Sequence, residues 1–281
     1  MATTLPAAAP VTPVTPARPA APARVVSDTV ASALRVLLAY RRSPGLLVAS
    51  FAVPVVMVVV FGYVFGSAMQ VPGGGNYREF LIPGLFVTVA VNGLTPTMIG
   101  TARDAGRGIT DRLRSMPVSR TGLLLGLALA DLVVGICVLI PLTVVGLAVG
   151  WRIRDGLAHA AVAYALLVLF RFTMTWVGMF LGLLAGSEET AGQLAVLTFP
   201  VAMVTNVFVP TGGMPGWLRT VADCNPISTV VAACREQFGN PSSPGSSWPM
   251  QHPVVAALLW SAGLLLIFVP LAVRRYSSHG R

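Results

Sequence analysis

Residues Thr121–Gly150 read TGLLLGLALADLVVGICVLIPLTVVGLAVG, thirty residues with a single charge, at Asp131. The hydrocarbon core of a bilayer is about 30 Å thick and takes about 20 helical residues to cross. A helix this long and apolar on every side is a membrane span. Directly before it lies Gly108–Arg120, GITDRLRSMPVSR, with arginines at 112, 114 and 120 and another at Arg107. Arginines cluster on the inner side of a bilayer, so this end of the run faces inward.

Five further runs have the length and character of spans: Leu46–Phe65 with Pro54 inside, Phe80–Ala102 with Pro83, Asn92 and Pro96, Leu157–Ala185 with Arg171 near its middle, Ala191–Val209, and Val254–Val273. The expected fold is an all-α membrane protein with six transmembrane helices. Composition agrees. Of 281 residues 55% are hydrophobic and 10% charged, where soluble domains carry about 25% charge, and mean hydropathy is +0.77. A soluble enzyme, a disordered chain and a disulfide scaffold are excluded. With the N-terminus inside, the inner segments hold thirteen of the nineteen arginines, the outer segments five, and Arg171 lies within the membrane. Both termini are therefore expected in the cytoplasm. Dropping the proline-weakened second run would invert the four that follow and put the 103–120 arginines outside.

Residues 1–24, built on PVTPVTPARPA, cannot bury a core and read as a disordered cytoplasmic tail. They lack the apolar region of a signal peptide. Val25–Arg42 follows with an apolar stripe of Val26, Val30, Ala33, Leu34, Leu37 and Leu38. Two readings fit it: a helix lying in the membrane interface, or an extension of the first span. Residues 276–281 form a short cytoplasmic tail. Between the last two runs, 210–253 is too polar to span. Pro210 ends the fifth run, and Met214–Phe238 contains two short helical stretches split at Asn225-Pro226. This reads as an outer helical segment before the last run, where Trp217 and its apolar neighbours suit an interface or a re-entrant position.

The net charge of +9 comes from arginine alone, because lysine is absent. A phosphate-binding P-loop needs its lysine, so any ATP chemistry belongs to a partner chain. The charge distribution follows topology, not nucleic acid. No metal-ligand spacing, nucleophile elbow or paired carboxylates appear, and His159, His252 and His279 stand alone. The chain reads as a non-enzyme that binds no cofactor. Cys224 and Cys234 could form a disulfide in an outer segment or remain two free thiols.

Asp131 lies ten residues into its run and Arg171 fourteen from the end of its own, depths of about 15 and 21 Å at 1.5 Å per residue. A long side chain bridges that difference, so an Asp131–Arg171 pair between the third and fourth spans is expected; the competing reading has Arg171 snorkelling to water. Ser187 with Glu188 and Glu189 suits the start of the fifth helix, with a contact to a partner chain as the alternative. Asn92, Thr95, Pro96, Thr198, Thr205 and Asn206 could line a substrate path or simply bond helix to helix. The 108–120 stretch has two readings as well: an anchor on anionic lipid, or a docking helix whose Leu113 and Met116 enter a partner's groove.

That stretch, with Gly-Ile-x-Asp-Arg-Leu-Arg-Ser-Met-Pro followed by Gly126 and Asp131, resembles the first cytoplasmic loop of type-2 ABC exporter permeases, above all the daunorubicin-resistance-type subgroup. The second half is similar in the same order: Phe199-Pro200, Asn206 to Pro210, Met214 to Leu218, Pro226-Ile227-Ser228 and Arg235. The resemblance covers residues 25–275. It departs at Leu127, where the family commonly has arginine, and Arg171 is not part of its pattern. It implies a type-2 ABC transporter transmembrane domain over 25–275, in a bacterial plasma membrane. It implies a permease subunit that exports hydrophobic molecules, drug-like or lipid-like, or alternatively a polysaccharide or cell-wall precursor. The implied partners are an ABC ATPase subunit carrying ATP and Mg, a second permease (a copy or a paralogue) and membrane lipid. Arg107, Asp111, Arg112, Leu113, Arg114, Met116 and Pro117 are then the ATPase-coupling residues.

Overall fold

The computed structural model describes residues 22–64, 66, 71, 75–106, 119–242 and 247–278. Among them the regular structure is helical and no strand occurs, as a bilayer requires of a chain that must satisfy its own backbone. Helix α1 is Pro22–Arg42, α2 Pro44–Val59, α3 Tyr77–Val91, α4 Leu94–Gly106, α5 Arg120–Val149 and α6 Gly156–Ala185. Then come α7 Glu188–Val196, α8 Thr198–Met203, α9 Gly216–Cys224, α10 Pro226–Phe238, α11 Trp248–Gln251 and α12 Pro253–Ser278.

Four of the described helical segments are long and apolar enough to cross a membrane: Tyr77–Gly106, Thr121–Val149, Gly156–Ala185 and Pro253–Tyr276. The other two runs are shorter. α2 passes into a π turn at Val60–Val64, and its apolar part is Val48–Val64. The fifth run is not one helix over Ala191–Val209. Pro200 has no N–H to donate to the carbonyl of Val196, so α7 stops there, α8 restarts at Thr198, and the chain leaves the helix after Met203. The second run is broken in the same way. Pro96 cannot bond the carbonyl of Asn92, and the turn at Asn92-Gly93 separates α3 from α4.

The α3–α4 and α6 segments are the inner ones, each with 67% of its best apolar window buried, against 33% for α5 and 17% for α12. α12 turns Leu258, Leu259, Leu266 and Ile267 outward. α6 runs through the middle, packed against α3, α4, α5, α10 and α12. α4 reaches α6 closely, because a Cβ at Gly178 or Gly182 would stand 2.4 Å from the Leu94 carbonyl or 2.3 Å from that of Met98.

α1 lies along the N-terminal half of α5. Its apolar stripe does not face that neighbour: Val26, Val30, Leu34 and Leu38 are all exposed. The packed face carries Asp28, Thr29 and Ser32. Asp28 accepts from the Ser119 backbone N–H at 2.7 Å, and the Ser32 hydroxyl donates to the Leu123 carbonyl at 3.2 Å. Gly126 makes the approach possible, since a Cβ there would come within 2.5 Å of the Thr29 carbonyl oxygen. The packed face of α1 is therefore its polar one, and the apolar stripe is turned away from the rest of the protein.

Candidate functional site

The residues expected to couple to an ATPase, Arg107, Asp111, Arg112, Leu113, Arg114, Met116 and Pro117, lie outside the described residues. Their two attachments are described: α4 ends at Gly106, and α5 begins behind Ser119. Both attachments carry ties to other elements. Ser119 is bonded to α1 through Asp28. Near the end of α4, Arg35 of α1 lies 3.6 Å from Asp104, and Arg103 forms a bidentate pair with Glu188 at the start of α7. Ser187 caps α7, its hydroxyl accepting from the Thr190 N–H at 3.2 Å.

Asp131 and Arg171 meet. Arg171 Nη2 donates to Asp131 Oδ1 at 2.7 Å, Nε to the Asp131 backbone carbonyl at 3.0 Å, and Nη1 to the Val89 carbonyl at 2.7 Å. Thr175 donates to the other carboxylate oxygen at 2.7 Å. Both charged side chains are more than nine-tenths buried, so each depends on this full set of partners. The pair faces the break in the second span: a Cβ on Gly93 would lie 2.8 Å from Asp131 Oδ2.

The segment from Pro210 onward carries the two helices α9 and α10. Pro210 precedes a single 3₁₀ turn at Thr211–Gly213, Met214 is extended, and Pro215 caps α9. Trp217 is exposed near the start of α9. Asn225 caps α10 by accepting from the Ile227 N–H at 2.9 Å, with Pro226 at the first helical position. Cys224 and Cys234 are free thiols on either side of this elbow. Cys234 is fully buried within α10, facing the Ala163 carbonyl, so a disulfide is ruled out by packing.

Arg235 is the functional-site residue that charge counting misplaces. Counted as an outer-loop arginine, it is fully buried. Its guanidinium stacks on Phe80 at 3.4 Å. It donates to the carbonyls of Phe80, Asn206 and Val207 at 2.9, 2.9 and 3.1 Å. The last two belong to the irregular chain after α8, whose carbonyls have no helical partner. Arg235 thus supplies the donors that the broken fifth run lacks. The sequence cues are its place in the family-like order of motifs and the uninterrupted run Val230-Val231-Ala232-Ala233-Cys234 before it. Outside the spans, Arg154 pairs with Glu79 at 2.6 Å, a bond that raises the guanidinium further above its ordinary range. Trp151 donates to Asn240 at 2.6 Å.

Two apolar clefts flank α7 and α8. One, of about 240 Å³, lies between α2, α3 and α8 and collects Asn92, Thr95 and Thr198 among Met57, Phe61 and Phe199. The other, of about 710 Å³, lies between α6, α8, the α9–α10 elbow and α12, and is lined by Met174, Val201, Cys224, Trp260 and Phe268. Thr205 and Asn206 are buried away from both. Asn206 is bonded to Ser228 through its backbone and its side chain. The arrangement has carbon-walled space, a buried polar centre and no cluster of metal-ligating side chains among the described residues.

A family profile described as ABC-2 type transporter matches residues 28–238. The chain is 29% identical over 255 residues to a daunorubicin resistance ABC transporter permease protein (DrrB1) of Streptomyces coeruleorubidus, covering 90% of this chain and 87% of that protein. It is 23% identical over 257 residues to a probable doxorubicin resistance ABC transporter permease protein (DrrC) of Mycobacterium tuberculosis, covering 90% and 91%. A probable multidrug ABC transporter permease (YbhR) of Escherichia coli is 23% identical over 184 residues, 64% of this chain and 49% of that one.

Proposed function

Because the chain belongs to the ABC-2 type transporter family, we propose that it is the membrane-spanning permease subunit of an ATP-binding cassette exporter. It moves hydrophobic small molecules, drug-like or lipid-like, out of the cell, and a separate ATPase subunit binds ATP and Mg and hydrolyses the nucleotide. The observation that carries the choice of cargo is the pair of carbon-walled clefts on the two faces of the broken fifth span. Relatives named for resistance to daunorubicin and doxorubicin support it. A polysaccharide or cell-wall precursor would call for polar walls along its path, so that cargo comes second.

In this reading α2 and the α7–α8 pair complete six spans across a bacterial plasma membrane, with both termini cytoplasmic. Residues 107–117 dock on the ATPase, and a second permease, a copy or a paralogue, completes the transporter. ATP-driven closure of the ATPase pushes on the 107–117 element. The push enters α4 and α5 together, takes α1 with it through Asp28, and reaches α7 through Arg103 and Glu188. α8 walls both clefts and α7 reaches the larger one through Leu194, so their movement changes what the clefts can hold. Pro210, Met214, Pro215, Trp217 and Pro226 hold the outer end as the gate. Each ligand shifts the equilibrium only by its differential affinity for the two states.

Reconstitution with the ATPase tests the proposal. Expected are co-purification of the two subunits and ATP hydrolysis stimulated by a panel of hydrophobic compounds, with ATP-dependent export of those that stimulate. An ATPase that neither binds the chain nor responds to any compound overturns it.

A further inference from the structure

Beside the apolar clefts runs a second space with more polar groups in its lining. A cavity of about 350 Å³ lies between α1, α4 and α5, with Arg35, Arg103 and Asp104 at one end and Asp131 at the other. A second, of about 340 Å³, lies between α1, α2, α3 and α5 and reaches Asn92 and Arg171. Tyr40 and Pro96 line both, so the two form one crevice that α1 covers. Its deep end is the Asp131–Arg171 pair. Asn92 there also lines the 240 Å³ apolar cleft. The crevice and that cleft therefore meet at the break in the second span.

The lining is rich in hydrogen-bonding groups and poor in free charge. Arg35 has Asp104, Arg103 has Glu188, and Arg171 has Asp131. A charged ligand would have to displace one of these partners. The Tyr40 hydroxyl and the Asn92 amide remain, and the Thr97 hydroxyl, which donates to the Gly93 carbonyl at 2.8 Å, still offers its lone pairs. Burial, and after it the Asp131 charge, raises the Tyr40 phenol above its ordinary pKa, so it stays a neutral donor. At about 30 Å³ per molecule, the first cavity alone has room for about ten waters.

We infer that this crevice is a water-filled compartment open to the ATPase side, and that it takes the uncharged polar end of an amphiphile whose apolar body lies in the cleft beyond Asn92. The inference rests on the transport reading and names the class of substrate: amphiphiles with hydroxyl- or amide-bearing ends, in preference to wholly apolar compounds.

Gly100 provides the test. It lines the crevice, and a Cβ there would meet nothing within 4 Å, so Gly100→Cys enters without a clash. The background carries Cys137→Ser and Cys224→Ser, the two exposed thiols. Val144→Cys on the exposed face of α5 serves as the lipid-facing control. In inside-out vesicles of the complete complex, a charged, water-soluble methanethiosulfonate should modify Gly100→Cys at least tenfold faster than Val144→Cys. Equal rates overturn the inference.

The same modification then plugs the crevice in a protein already folded. Stimulation of ATP hydrolysis by decyl glucoside should fall at least fivefold, while stimulation by decane is retained. No loss for either compound, or equal loss for both, overturns the inference. An unmodified complex that neither compound stimulates counts against the transport reading instead, and the labelling rates still decide whether the crevice holds water.

Discussion

A methyl group on Gly135 would stand 2.3 Å from both Cδ and Nε of Arg171. The guanidinium lies flat on the bare backbone of α5, and from there it reaches Asp131 and Val89. Alanine at a free helical position would add about 1 kcal/mol of stability over glycine. At position 135 it drives Arg171 off its partners, and a broken buried pair costs about 3–5 kcal/mol. Gly135→Ala is therefore expected to destabilise by about 2–4 kcal/mol. Thermal unfolding of the purified protein in detergent measures this; a midpoint at or above that of the unaltered chain means the guanidinium does not rest there.

The pair itself predicts an asymmetry between single and double variants. Arg171→Met leaves the Asp131 carboxylate buried with only Thr175 as donor, and Asp131→Asn leaves a buried guanidinium without its counter-charge. Each should cost about 3–5 kcal/mol. Asp131→Asn combined with Arg171→Met removes both charges and should recover most of that loss, because buried pairs contribute little net stability over apolar replacements. If the double variant is as unstable as the two losses added together, Arg171 owes its place to the Val89 carbonyl and not to Asp131.

This pair was legible in the sequence because charges in long apolar runs are rare and their depths can be counted. The prolines at 96 and 200 also announce where the second and fifth runs weaken. What they do not announce is the consequence at each site. At Asn92-Gly93 the break makes room for the ion pair. After Met203 the break frees carbonyls for an arginine thirty residues downstream. Arg235 is hidden because the topological rule counts arginines without asking which carbonyls each one faces. The stripe on α1 was legible, but not its direction, since Gly126 and Ser32 are small enough to bring a polar face onto α5.

Arg235 gives the next prediction. Three carbonyls accept from two of its nitrogens in one plane, with Phe80 beneath. Lysine keeps the charge but presents a point donor on a flexible stem, and it loses the stacked geometry. Arg235→Lys should leave at least one buried carbonyl without a donor, at about 1–3 kcal/mol per group. Hydrogen exchange of the 204–210 backbone reads the effect locally. Protection there should fall in Arg235→Lys while α5 is unchanged, and equal protection in both proteins argues that the carbonyls find other partners.

Arg112→Glu with Arg114→Glu tests the coupling assignment. If these arginines face the ATPase, insertion and thermal stability should stay within about 0.5 kcal/mol, the range of surface changes. Compound-stimulated ATP hydrolysis should fall at least tenfold, and ATPase should be lost from the purified complex. Full recruitment and stimulation by the double variant would remove these arginines from the interface.

The bidentate contact of Arg103 with Glu188 joins α4, next to the coupling element, to the start of α7. Both side chains are nearly half exposed, and exposed pairs contribute only about 0–1 kcal/mol. Glu188→Arg or Arg103→Glu alone should therefore leave the unfolding midpoint almost unchanged. If the pair carries movement from α4 to the wall of the clefts, either reversal should still lower compound-stimulated ATP hydrolysis severalfold, with basal hydrolysis retained. The exchanged protein, Arg103→Glu with Glu188→Arg, restores opposite charges across the same gap and should recover most of the stimulation. A helix-end effect cannot imitate this rescue, because arginine at position 188 sits badly at the positive end of α7 whether or not position 103 is changed. Stimulation that stays low in the exchanged protein would show that Glu188 acts on its own helix and not as the link between α4 and α7.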